Sequence, residues 1–358
     1  MGKDILKVAV AIVALLLFAY LLDKYSGSFG DNLVVATIAP SDAIPSAPFA
    51  QQQIPELVVY TYDGITADWG LGPKIFPEFE NECGCKLKVV AKGDVGAFVS
   101  QLIFEKNSPK ADIALGFDNT FLEKMISEDL LEPFKPGNYG EIMLSLQKDD
   151  FRSTPFDWGY MAFVYDSGKI ANPPSSLEDL TKPEFSKKII LEDARTSSPG
   201  KAFLHWVVNE YGEGTGAYLQ RLKPNLLTIA PGWSEAYNLF LAGEAPIVLS
   251  YSTSPAYHMI NENTTKYKAA IFPNMFRQVE YVGIVKGSTD KQLSQKFIEF
   301  MISKNAQEEI PLGNYMYPVR SDVPLPDAFD LAEEPEKIYP VLIDDEKWLR
   351  IWEGAFSG

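Results

Sequence analysis

From Leu57 onward the chain alternates short apolar, β-branched runs with helical patterns, and this alternation constrains its fold more than any other feature. Residues 57–62, 86–91 and 111–117 read as strands. Val95, Phe98, Val99, Leu102 and Ile103 recur at the spacing of a core-facing helix. Leu71, Ile75, Phe76 and Phe79 mark another helical face, held to one or two turns by Pro73 and Pro77. Further strands are expected at 160–165, 188–191, 247–251, 269–272 and 279–285, with helical patterns at 202–208, 236–241 and 293–301. Such alternation implies an α/β protein with parallel-rich sheets covered by helices on both faces. Ligands of these sheets bind off the carboxyl ends of the strands, so functional residues should lie just after strands.

At 358 residues the chain exceeds one typical domain, and two lobes are the natural expectation. The net charge of −16 argues against a nucleic-acid partner, whose backbone demands lysine and arginine. It suits a cationic small ligand, although an acidic surface also serves solubility alone.

Most reaction chemistries lack apparatus here. The two histidines, His205 and His258, lie far apart, and no zinc-protease, nucleophile-elbow, Walker or dinucleotide motif occurs. No catalytic residue, cofactor or metal site is therefore expected. Cys83-Gly84-Cys85 supplies too few ligands for structural zinc. Whether joined in a tiny ring or left as two small side chains, the pair reads as structural.

Lys3 and Lys7 precede an uncharged apolar run over residues 8–22, and Asp23 and Lys24 close it. This is the layout of a signal peptide, shorter than the roughly 20 residues that span a bilayer comfortably. No Ala-x-Ala site follows at once, so residues 1–24 are read as a signal peptide or a retained membrane anchor. Either way the remainder is exported. Residues 25–55 lack any period, are rich in Ser, Gly, Ala, Pro and Gln, and resemble a flexible tether.

Aromatic residues and carboxylates cluster at the strand ends. Tyr62-Asp63 ends the first strand and Trp69 follows in a loop. Asp94 follows the second strand, and Asp118-Asn119 ends the third; both also stand where helix N-caps belong. Trp233 lies in a loop entering a helix, Tyr251 ends the 247–251 strand, and Tyr257 comes six residues later. Each aromatic alone reads equally as core or rim. Together they describe a site for a flat cation, held by stacking and cation–π contacts worth about 0.5–2 kcal/mol each. Arg195-Thr196-Ser197-Ser198-Pro199-Gly200 opens a further helix after a strand. Its free N–H groups suit an anion or a plain cap.

These segments resemble the thiamine-binding periplasmic proteins. The resemblance rests on Tyr60-Thr61-Tyr62-Asp63, Ala67-Asp68-Trp69-Gly70, Cys83-Gly84-Cys85, Leu115-Gly116-Phe117-Asp118-Asn119 and Pro155-Phe156-Asp157-Trp158-Gly159-Tyr160. It continues through Arg195-Thr196-Ser197, Gly232-Trp233-Ser234-Glu235-Ala236-Tyr237, the run from Leu249 to His258 and the run from Ile310 to Val319. It implies a two-lobed type II periplasmic binding protein fold with its ligand cleft between the lobes, closing by a hinge. The implied lobes run over 56–158 and 159–278, with 279–358 returning to the first and ending in C-terminal helices. It also implies a monomer that binds thiamine, or thiamine mono- or diphosphate, and delivers it to an ABC permease driven by a cytoplasmic ATPase.

Carried over by position, the ligand site comprises Tyr62, Trp69, Asp94, Ser197, Trp233, Tyr251, Tyr257 and Tyr315. Asp94 would accept from the aminopyrimidine and Ser197 would face the hydroxyethyl or phosphate end. Where the family often carries tryptophan after Gly-Asn, this chain has Tyr315, with a smaller face and an added hydroxyl. Two rivals stand beside this reading. A thiaminase-like enzyme would need an activated cysteine beside the pyrimidine, and an Fe(III) or other cation carrier would recruit Tyr251 and Tyr257 as phenolates.

Overall fold

The computed structural model describes residues 54–332, 334–341 and 346–356. The leader expected at 1–24 and nearly all of the tether expected at 25–55 lie outside the described residues. In chain order the first strands are β1 (Glu56–Thr61), β2 (Lys86–Ala91), β3 (Ile113–Asp118), β4 (Leu131–Glu132), β5 (Thr154–Asp166) and β6 (Ile189–Glu192). They are followed by β7 (Leu226–Ala230), β8 (Ile247–Tyr251), β9 (Tyr267–Ala270), β10 (Asn274–Val285), β11 (Tyr317–Pro318) and β12 (Lys337–Tyr339).

The main strand path is β2-β1-β3-β10-β5-β8-β6-β7. β1 pairs in parallel with β2 and β3, and β6 pairs in parallel with β7 and β8. These are the cores of two sheets, one per lobe. The long strands β5 and β10 run antiparallel to them and join them. β5 pairs with β10 from Thr154 to Tyr160, then with β8 and β9 from Met161 to Asp166. β10 pairs with β12 over Asn274–Phe276 before entering the first sheet. Two strands thus cross between the lobes side by side, and the cleft opens above the crossing.

Side-chain alternation builds a core on each face of each sheet. In the second lobe, Ile189, Leu191, Ile247, Leu249, Met161 and Phe163 enter one cluster, while Val164, Ile190 and Val248 enter the opposite one. In the first lobe, Leu57, Val59, Ile113 and Leu115 face one side and Tyr60, Ala114 and Phe117 the other. Leu115 and Phe117 share a parity yet face opposite sides, because Gly116 between them adopts φ +88° and the β3–β10 register shifts there.

Several features depart from the sequence expectation. The helix Leu71–Cys83 runs thirteen residues, not one or two turns. Pro73 falls in its first turn, where the N–H has no helical partner to lose. Pro77 forfeits one bond, offset by burying Leu71, Ile75 and Phe79. Strand β7 went unseen because its residues LLTIA lack a clear alternation, and the strand expected at 269–272 begins two residues earlier. The helix Glu346–Phe356 packs Trp352 edge-on against Phe203, extending the second lobe's core.

Cys83 and Cys85 form a disulfide around Gly84, whose left-handed φ of 63° ends the helix Leu71–Cys83. No helix among the described residues is long and apolar enough to cross a membrane.

Candidate functional site

A cavity of about 770 Å³ lies between the lobes, at the carboxyl ends of β1, β2 and β8. Seven of the eight expected site residues line it: Tyr62, Trp69, Asp94, Trp233, Tyr251, Tyr257 and Tyr315. Ser197 does not. It is fully buried, while its neighbours Thr196 and Ser198 reach the wall.

The aromatic rings form a connected frame. Trp69 stands edge-on to Trp233 at 6.1 Å between centroids and to Tyr257 at 6.2 Å. Tyr257 is edge-on to Tyr315 at 5.0 Å. Trp233 is backed by Tyr237, stacked at 4.9 Å, and its indole N–H donates to Ser250 Oγ at 2.9 Å. Tyr315 holds φ +54°, a strained conformation for a tyrosine, and accepts at its hydroxyl from Asn261 Nδ2 at 2.8 Å. Edge-on neighbours keep the frame rings from stacking on one another, so that Trp233, covered by Tyr237 on one face, keeps the other for a flat guest.

Asp94 lines this site where the lobes meet. Its Oδ1 accepts from the N–H of Val95 at 2.6 Å, capping the helix Val95–Glu105. The same carboxylate reaches across the cleft, accepting at Oδ2 from the N–H of Trp233 at 3.0 Å and at Oδ1 from Ser198 at 3.4 Å. Both donors open second-lobe helices, Trp233–Leu241 and Ser198–Tyr211. The anion at those two helix starts is therefore Asp94 itself, matched to their positive ends. Burial raises its pKa, and the N–H bonds from Trp233 and Val95 oppose that rise. A second carboxylate repeats the scheme. Asp118 caps the helix Asn119–Ser127 through Thr120 and Phe121, and Ser198 Oγ donates to it from the other lobe.

The floor holds residues that the strand-end pattern did not single out. Glu280, on β10, and Asp157, on β5, are direct register partners and are almost fully buried. Asn314 Nδ2 bridges them, 2.5 Å from Asp157 and 3.5 Å from Glu280, and the Tyr62 hydroxyl donates to Glu280 at 3.0 Å. Gln278 Nε2 donates to the Tyr251 hydroxyl at 2.8 Å. Glu280, Gln278 and Asn314 all line the cavity. The signal that could have found Glu280 is an acidic residue interrupting the apolar run 279–285.

The disulfide lies at the amino-terminal end of β2, opposite the end where Asp94 stands. Among the described residues, no group of three or more His, Cys, Asp or Glu side chains could hold a metal ion.

A two-lobed α/β chain with a cavity at its lobe junction has the build of a solute receptor, and the model for that class, bacterial extracellular solute-binding protein, matches residues 108–346. Within the class, the thiamine-binding periplasmic protein of Brucella melitensis is 39% identical over 340 residues, covering 91% of this chain and 99% of the relative. That of Escherichia coli K12 is 40% identical over 312 residues, 85% of this chain and 94% of the relative. A solved periplasmic thiamin binding protein superposes with a TM-score of 0.80 at 37% identity, covering 87% of this chain and 99% of that one. A ferric binding protein from Campylobacter jejuni shares the fold, with a TM-score of 0.71 at 21% identity over 84% of this chain and 99% of that one. The chain belongs to the family of thiamine-binding periplasmic proteins.

Proposed function

We propose that this protein binds thiamine, or one of its phosphates, outside the cytoplasm and hands it to an ABC permease without altering it chemically. The observation that carries the proposal is the frame of Trp69, Trp233, Tyr257 and Tyr315 set over a floor containing Asp94 and Glu280. Aromatic faces and buried carboxylates together select a flat cation, since each ring offers a negative face and each carboxylate a full or partial charge. Thiamine is such a cation. The named relatives add independent support.

Roles follow from position. Tyr62 and Tyr251, at the ends of β1 and β8, wall the floor, and the four framing aromatics enclose the rings. Asp94 serves the ligand and the lobe junction together, since each oxygen offers more than one lone pair. Thr196 and Ser198 take the place foreseen for Ser197 at the polar end of the ligand. The protein acts as a monomer, its lobes closing about β5 and β10. Titration of tryptophan fluorescence tests the reading: thiamine quenches saturably and Fe(III) does not. Quenching by Fe(III) alone would transfer the site to iron carriage.

A further inference from the structure

Glu280 lies in the floor of the site with Asp157 directly beside it, and the surroundings of this pair are unusual for two acids. They face each other across adjacent antiparallel strands, at the point where β5 and β10 cross between the lobes. Asp157 is 0% exposed and Glu280 4%, and Asp157 Oδ1 lies buried without a hydrogen-bond partner. The groups that bond the pair are neutral, the Asn314 amide and the Tyr62 hydroxyl. Asp94 and Asp118 add negative potential from the first lobe, and the Tyr62 and Tyr251 phenols stand above. Two buried carboxylates that share one amide donor, with no cation bonded to either among the described residues, resist ionising together. Glu280 faces the cavity, so a cation bound there supplies the charge the pair lacks.

We propose that Asp157 and Glu280 hold a shared proton in the empty cleft and release it when a cationic ligand binds, so that ligand affinity is linked to pH. The inference rests on the thiamine reading above and adds the energetic role of a pair outside the aromatic frame. Burial agrees in direction, placing Asp157 at about 7 and Glu280 well above the usual carboxylate range. As the two are coupled, the proton belongs to the pair rather than to either residue. The sign follows: a positive ligand favours the ionised pair, so affinity rises with pH while the free pair is protonated and levels off once it has ionised. Release of one proton corresponds to about a tenfold gain in affinity per pH unit.

The test is calorimetry of thiamine binding by the full protein at pH 6, 7 and 8, in buffers of differing ionisation enthalpy. Support is release of up to about one proton per thiamine at pH 6–7 and affinity rising by up to about tenfold per unit. In Glu280→Gln and Asp157→Asn, which keep the shape of the floor, this release and this slope should fall away even if affinity changes. Thiamine binding by the wild-type protein without proton release overturns the inference and leaves the thiamine reading standing. Equal release in the wild type and both variants also overturns it, assigning the proton to Asp94 or to the ligand. Absence of any thiamine binding removes both readings together.

Discussion

Asp94 Oδ2 accepts a hydrogen bond from the backbone N–H of Trp233 at 3.0 Å, joining the two lobes across the cleft. One side chain therefore caps a helix of the first lobe and satisfies the start of a helix in the second. Gly232 leaves room beside it, since a Cβ there would stand 3.0 Å from the same oxygen and press on the carboxylate. This relationship ties ligand enclosure to lobe closure.

Asp94→Ala should lose both. The cap accounts for about 1 kcal/mol of stability, and thiamine affinity should fall by roughly 1–3 kcal/mol, as when one partner of a charge-assisted hydrogen bond is removed. Thermal melts and calorimetry on the same preparation separate the two effects. Wild-type affinity in this variant would reduce Asp94 to a cap.

Trp233→Ala should weaken thiamine binding by about 1–3 kcal/mol through loss of a ring face. Because Trp233 also stacks on Tyr237 and bonds Ser250, a smaller loss of stability, on the order of 1 kcal/mol, should accompany it. A variant that melts far below the wild type but binds normally when folded would make Trp233 a core residue.

Gly116→Ala probes how the bulge in β3 seats Tyr62. A Cβ at this position would lie 2.4 Å from the Tyr62 ring, on a backbone with φ +88° that alanine resists. The variant should be destabilised by roughly 2–4 kcal/mol and, where folded, should bind thiamine more weakly because Tyr62 is displaced. Denaturant unfolding with and without thiamine measures both. An unchanged midpoint and affinity would show that the ring has room to move.

Glu280→Gln should stabilise the unliganded protein, and the sign can be worked out. A carboxyl whose folded pKa is raised contributes its full stability below its unfolded pKa and loses it as pH rises toward the folded value. Asp157, at about 7, and Glu280, higher still, therefore weaken the fold progressively above pH 4. The variant should match the wild type near pH 4 and exceed it by about 1–3 kcal/mol at pH 8. Melting points over that range check this, and a constant difference would contradict it.

The alternation of strands and helices carried the α/β class and the position of most residues that line the cavity, because parallel strands deliver their ends to one edge of a sheet. Tyr62, Trp69, Asp94, Trp233 and Tyr251 were legible for that reason. Tyr257 was legible as an aromatic six residues beyond Tyr251, whereas Tyr315 was reached by resemblance and depends on a left-handed backbone that no periodicity signals. Ser197 is buried behind the wall that Thr196 and Ser198 form, since the rotation at a helix start turns on the cap geometry. The Asp157–Glu280 pair was hidden for a deeper reason: its partners lie 123 positions apart and meet only through the register of β5 and β10. Cross-strand pairing is set by the whole fold and leaves no local trace.

Isothermal calorimetry of the purified protein with thiamine, thiamine monophosphate and thiamine diphosphate tests the central claim most directly. The account predicts one saturable site per chain for at least one of the three, lost together with tryptophan quenching in Trp233→Ala. An absence of heat and of saturation with all three forms, by a protein whose melt shows it folded, would contradict it.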